Sequence, residues 1–132
     1  MKKTIRSAIP LFLLLAALAG NLVVAHASDI MPLYTGVASL TSGLTVSNTG
    51  KATCNGNVML WDDYTADVTV ELKRDGITIK TWTASGSEVI SAGGTYYVTS
   101  GHEYVVTTTA TVYDSNGKIV ESPSKDSPSK NY

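Results

Sequence analysis

Twelve residues near the end of the chain, Glu103 to Asp114, constrain its fold more than any other stretch. They read Glu-Tyr-Val-Val-Thr-Thr-Thr-Ala-Thr-Val-Tyr-Asp, with no Gly or Pro and with charge only at the two ends. Seven of the twelve are Val or Thr and two more are Tyr, the side chains that suit a pleated, half-buried surface. Ser100-Gly101-His102 before the stretch and Ser115-Asn116-Gly117 after it are turn sequences. At about 3.3 Å per residue the stretch makes a strand of about 40 Å, long enough to sit inside a sheet with a neighbour on each edge. Strand alternation puts Tyr104, Val106, Thr108, Ala110 and Val112 on the inward face. Val105, Thr107, Thr109, Thr111 and Tyr113 then form the outward face, where the Thr row reads as the solvent side of a sheet.

The preceding chain shows the same period of two in shorter pieces. Tyr34 to Leu40 and Leu44 to Ser47 read as strands split by Thr41-Ser42-Gly43. From Thr53 to Met59, small and apolar Ala52, Cys54, Gly56 and Val58 share one face, and Thr53, Asn55 and Asn57 share the other. Ala66 to Lys73 sets Val68, Val70 and Leu72 against Asp67, Thr69, Glu71 and Lys73. Arg74-Asp75-Gly76 carries the Asp-Gly pair of a tight hairpin. In the returning strand, Ile77, Ile79 and Thr81 face one way and Thr78, Lys80 and Trp82 the other, up to a break at Ala84 to Gly86. Glu88 to Ser91 and Thr95 to Thr99 are two short strands about a turn at Ala92-Gly93-Gly94, and Lys118 to Ser122 is the last. No window of 11 or more residues after Ser28 has helical periodicity, and eight or nine short strands between turn signals predict a sandwich or small barrel.

The start of the chain reads as an export signal. Lys2, Lys3 and Arg6 precede an apolar run from Pro10 to Val24, and Ala25-His26-Ala27 gives a small-x-small cleavage pattern before Ser28. The competing reading, an uncleaved anchor, is weakened because Gly20 and Asn21 interrupt a run already short for a span of about 20 residues. Residues 1–27 are therefore expected as a signal peptide, 28–122 as one β-sandwich domain and 123–132 as a polar C-terminal tail. The Ser122-Pro123 and Ser127-Pro128 pairs suggest that the tail is frayed. The exported part has all 11 acidic residues, while Lys2, Lys3 and Arg6 leave with the signal, so seven cations face eleven anions for a net charge of −4. A mildly acidic domain without a basic run argues against nucleic-acid binding and against electrostatic membrane attachment.

The run Val98-Thr99-Ser100-Gly101-His102-Glu103-Tyr104-Val105-Val106 resembles the lead-in to the sixth strand of immunoglobulin-like and fibronectin type III domains. The resemblance implies an immunoglobulin-like antiparallel β-sandwich of about seven to nine strands, with Tyr104 as the corner tyrosine whose hydroxyl bonds back to the chain. Cys54 occupies the position of the second-strand cysteine, but Val106 stands where its partner would be and Val68 where the core Trp would be. The inter-sheet disulfide is therefore absent, and stability rests on packing. More loosely, Gly50-Lys51-Ala52-Thr53-Cys54 and Trp82-Thr83-Ala84-Ser85-Gly86 resemble small secreted proteins of Gram-positive bacteria that pair a signal peptide with one Ser/Thr-rich β-sandwich. That resemblance implies no activity.

Few residues offer chemistry. Cys54 is the only cysteine, and its strand phase points it inward, where burial makes a thiol inert. His102 is the single imidazole of the exported part, and it lies in a turn. One His and one Cys cannot supply a structural zinc site. Asp62, Asp63 and Asp67 form an acidic cluster whose spacing matches no calcium motif, so no cofactor is expected. Trp61 and Tyr64 flank Asp62 and Asp63, and aromatic rings beside carboxylates are one way to hold a sugar; either ring could instead close the end of the core. The expectation is a monomeric, extracellular, non-enzymatic module that binds a protein or cell-surface glycan. The alternative is a carbohydrate-binding module using Trp61, Asp62, Asp63 and Tyr64.

Overall fold

The computed structural model describes residues 34–132, so the expected signal peptide and the loose start at Ser28 to Pro32 lie outside the described residues. The described chain is all-β, an antiparallel sandwich of nine strands in two sheets. One sheet has the order β1-β2-β5, built from β1 (Val37–Val46), β2 (Lys51–Leu60) and β5 (Val89–Tyr97). The other runs β4-β3-β6, from β4 (Ile77–Ser87), β3 (Thr65–Arg74) and β6 (Glu103–Tyr113). Its far edge is made of three short pieces on β6: β7 (Ile119–Glu121), β8 (Ser124–Asp126) and β9 (Lys130–Asn131).

β6 is central, as its length and composition require. It pairs with β3 along its whole length on one edge and with β7, β8 and β9 on the other. Tyr104, Val106, Thr108, Ala110 and Val112 are all fully buried, the inward face predicted by alternation. Opposite them β3 buries Ala66, Val68, Val70 and Leu72, and the first sheet supplies Leu40, Leu44, Ala52, Cys54, Val58 and Ile90. Full burial of one such side chain is worth about 1.5–3 kcal/mol, and a one-residue slip of β3 would put Asp67, Thr69 and Glu71 inside instead. That cost fixes the register. The core polar group Thr108 donates to Ser42 Oγ (3.1 Å), and Ser42 Oγ donates to the Val106 carbonyl (2.8 Å), so the buried hydroxyl is satisfied. Tyr104 donates its hydroxyl to the Thr99 carbonyl at 2.5 Å.

Five local expectations are corrected. β1 runs unbroken through Thr41-Ser42-Gly43, because Ser42 finds its partner at Val106 in the facing sheet. β4 continues through Ala84 to Gly86, paired to Val68, Asp67 and Ala66 of β3. Its register slips between Leu72 and Lys73, which changes the phase of the strand, so Ile79 and Trp82 both pack on the core instead of facing opposite ways. β5 runs straight through Gly93 and Gly94, which are glycines for close approach and not for a turn. Gly93 has φ +135°, and a Cβ there would run into the Cys54–Asn55 backbone; a Cβ at Gly94 would lie 2.6 Å from Trp82 Nε1. Trp82 thereby covers the open side of the sandwich between the β4 and β5 edges.

The fifth correction is the tail. Residues 123–132, expected to fray, complete the second sheet. Proline forbids only an N–H donor; the Pro123 carbonyl still accepts from Ala110 N (3.0 Å) at the sheet edge. Ser127 replaces a regular pair: its N–H donates to the Val106 carbonyl (2.8 Å), and its Oγ accepts from Val106 N–H (3.0 Å) and donates to Pro128 O (3.0 Å). The outward Thr row is correspondingly less exposed than predicted. Thr107 is buried and donates to Asp126 Oδ1 (2.7 Å).

Candidate functional site

The loop after β2 begins where Leu60 N–H donates to the Glu88 carbonyl (2.8 Å) and Trp61 N–H to the Gly36 carbonyl (2.9 Å). Asp63 turns the chain with φ 75°, a left-handed conformation that Asp tolerates better than most residues. Its neighbour Glu88, the single residue between β4 and β5, also has positive φ, 63°. There the chain leaves one sheet and enters the other. Trp61, Asp62, Asp63, Tyr64, Thr65, Ser87 and Glu88 line a shallow depression of about 280 Å³ at this end of the sandwich.

The four residues singled out in this loop do different things. Tyr64 packs against the core; its ring lies over Gly36, where a Cβ would come within 2.9 Å of the ring carbons. Tyr64 therefore closes the end of the core. Trp61 faces solvent at 58% exposure, and Asp62 and Asp63 are exposed beside it. Asp67 does not join them. Its carboxylate accepts from Ser85 Oγ (2.7 Å) and Tyr113 Oη (2.9 Å) on the outer face of the second sheet; the two bonds lower its pKa below the ordinary value, and the bond to Asp67 raises that of Tyr113. Among the described residues no three His, Cys, Asp or Glu side chains converge as a metal site requires.

Trp61 has company that the sequence reading missed. Met59, two residues earlier on the same outward phase, is exposed, and so is Val89, its directly opposite partner on β5. The outward positions of β2 thus run from polar Thr53, Asn55 and Asn57 into apolar Met59, and exposed Trp61 follows one residue beyond the strand's end. That departure from polar alternation was the available signal. Met59 and Val89 make an exposed apolar pair at this end of the sheet, with exposed Trp61 just beyond the end of β2.

The other groups with chemical potential are occupied. Burial pushes the Cys54 thiol up to about 11, so it carries no thiolate at neutral pH. His102 Nδ1 lies 2.6 Å from Asp75 Oδ2, with its ring edge-on to Tyr104, and Asp75 Oδ1 accepts from Glu103 N–H (3.0 Å). First the Glu103 bond and then His102 hold the Asp75 carboxyl below its ordinary pKa. The open depression of about 440 Å³ there is lined by Asp75, Gly101, His102, Glu103, Asn131 and Tyr132, none of them a Ser or Cys nucleophile. No family model matches the chain, and no curated protein matches it.

Proposed function

We propose that this chain is an exported, non-enzymatic β-sandwich of the immunoglobulin-like kind that works outside the cell as a monomeric interaction module. The strand orders β1-β2-β5 and β4-β3-β6-β7 support a fibronectin type III-like arrangement, and so does the Tyr104–Thr99 corner bond. The observation that carries the binding role is the exposed Trp61 just beyond Met59 and Val89, because a folded domain gains nothing from leaving three large apolar groups in water. The carbohydrate-binding alternative is favoured by the same exposed Trp61; it loses Tyr64, whose ring is committed to the core.

The test is loss of binding without loss of fold. Wild type and Trp61→Ala are titrated by fluorescence against polysaccharides, cell-wall fragments and secreted proteins, with circular dichroism and melting as fold controls. A ligand that binds wild type and is lost in Trp61→Ala is the expected outcome. Equal binding by the variant, or turnover of any bound ligand, would overturn the reading.

A further inference from the structure

We propose that the outward face of the β1-β2-β5 sheet is a platform for an extended, uncharged glycan that lies along β2 between Trp61 and Tyr97; this rests on the binding-module reading above. The register defines the platform. Tyr97 stands opposite Lys51 at one end of β2 and is 69% exposed, while Met59, opposite Val89, leads into Trp61 at the other. From Lys51 to Trp61 is ten steps of chain, about 33 Å if extended, so the two exposed rings mark the ends of a long track.

Between the rings the face is polar but uncharged. Its midline is Thr53, Asn55 and Asn57. Asn55 stands between Gly43 on β1 and Gly93 on β5, so it is the only side chain in its row, and it leans onto Gly43, where a Cβ would be 2.8 Å from its Oδ1. The floor beside it is bare backbone at Gly93. Asn57 accepts from Ser91 Oγ (2.5 Å) across the strands, and this bond occupies its Oδ1 and not its amide N–H group. Among the described residues, no hydrogen bond engages the side chains of Thr53, Asn55 or Thr95.

The outer face of the other sheet provides the contrast. There Thr107 is tied to Asp126, Ser85 and Tyr113 to Asp67, and Thr109 to Ser124. Several of its polar groups are thus paired within the protein, whereas on the first sheet only Asn57 and Ser91 are, and Thr53, Asn55 and Thr95 are left to the solvent or a ligand.

Chemistry selects the ligand. Free hydroxyls and a carboxamide can both donate and accept, as sugar hydroxyls can, and a flat ring covers the apolar face of a pyranose. A nucleic acid or an acidic polysaccharide needs several cations; Lys51 is the only one on the platform, and Asp62, Asp63 and Glu88 guard the Trp61 end. A second copy of this chain needs a continuous apolar centre, and here the apolar groups are at the ends with a polar middle.

Affinity electrophoresis of wild-type protein in gels containing hydroxyethylcellulose, arabinoxylan or galactomannan, with polygalacturonate as the anionic comparison, tests the proposal. Retardation by at least one neutral polymer and none by polygalacturonate is expected. Trp61→Ala and Tyr97→Ala should each weaken it tenfold or more, and Thr83→Ala on the other sheet should not change it. Oligosaccharides of the retarding polymer should bind more tightly as they lengthen, until one spans the track. No retardation by any of the three neutral polymers overturns the platform, as does retardation that survives the double variant. If Trp61-dependent binding to a protein, or self-association lost in Met59→Asp, appears instead, the glycan proposal fails and the binding-module reading stands. Absence of all Trp61-dependent binding sinks both.

Discussion

Replacing Tyr104 by Phe removes one oxygen atom from a ring that has no exposure to solvent. The lost bond is the 2.5 Å donation to the Thr99 carbonyl, five residues back across the turn that leads into β6. A buried hydrogen bond contributes about 1 kcal/mol net, and an acceptor stranded without a partner costs up to about 3 kcal/mol. Thr99 itself is exposed, so water can reach its carbonyl once the hydroxyl is gone, and the expected cost falls at about 1–2 kcal/mol. With a urea slope of about 1–3 kcal/mol/M, that is a midpoint shift on the order of 0.5–1 M without a change of slope. Tyr104→Ala also opens a cavity among Val106, Leu72 and their neighbours and should cost about 3–5 kcal/mol, a large part of the 5–15 kcal/mol available to a domain of this size. Tyr113→Phe is the internal control, since its hydroxyl reaches only the surface carboxylate of Asp67, and its melt should overlay wild type. A neutral Tyr104→Phe beside a damaging Tyr113→Phe would mean that β6 faces the other way, and the assignment of the whole core would fall with it.

Cys54 should resist thiol reagents in the native protein and label at once in denaturant; Cys54→Ala should fold at a cost of about 1–2 kcal/mol, and fast native labelling or a covalent dimer would contradict its burial. A chain stopped after Ser122 loses β8, β9 and both Ser127–Val106 hydrogen bonds, so its urea midpoint should collapse; a midpoint equal to wild type would show the last ten residues to be dispensable. Asp75 has its folded-state pKa depressed, so its stabilising effect is present above the ordinary value of 3.8 and disappears as pH falls through the lower folded value. The melting-temperature gap between wild type and Asp75→Asn should therefore be open at neutral pH and close in acid, and a gap that widens in acid would reverse the assigned sign.

The parts of this fold legible in advance are those where one face meets the core and the other meets water. Ala52-Cys54-Val58, Val68-Val70-Leu72 and the Tyr104 to Val112 series each alternate cleanly because packing demanded it. What escaped depends on partners distant in sequence. Gly93 and Gly94 look like a turn until the Cys54–Asn55 backbone is found against Gly93 and Trp82, a dozen residues earlier, against Gly94. Ser42 looks like a break until Val106 and Thr108 face it. The slip in β4 arises because Leu72 pairs with Lys80 and Lys73 with Thr78, skipping Ile79, and it leaves no mark in either strand's composition. At the candidate site, Trp61 was identified, but the division of labour between Trp61 and Tyr64 was set by Gly36, which no local pattern connects to that loop.

Glu121 has a mechanical consequence. Its carboxylate takes the N–H groups of Thr35 (2.7 Å), Gly36 (2.8 Å) and Val37 (3.1 Å), fastening the start of β1 to β7 at the Trp61 end of the sandwich. Tyr132 is at the opposite end, held by its hydroxyl to the Asn48 carbonyl. Tension between residues 34 and 132 therefore pulls along the axes of β1 and of the last strand. The β1–β2 ladder must then shear as a set, its bonds sharing the load, and cannot be peeled open one at a time. The Glu121 clamp lies at the point where that load first arrives. Under pulling, the lifetime of the domain is governed by its unfolding rate, and this single carboxylate is placed to set it.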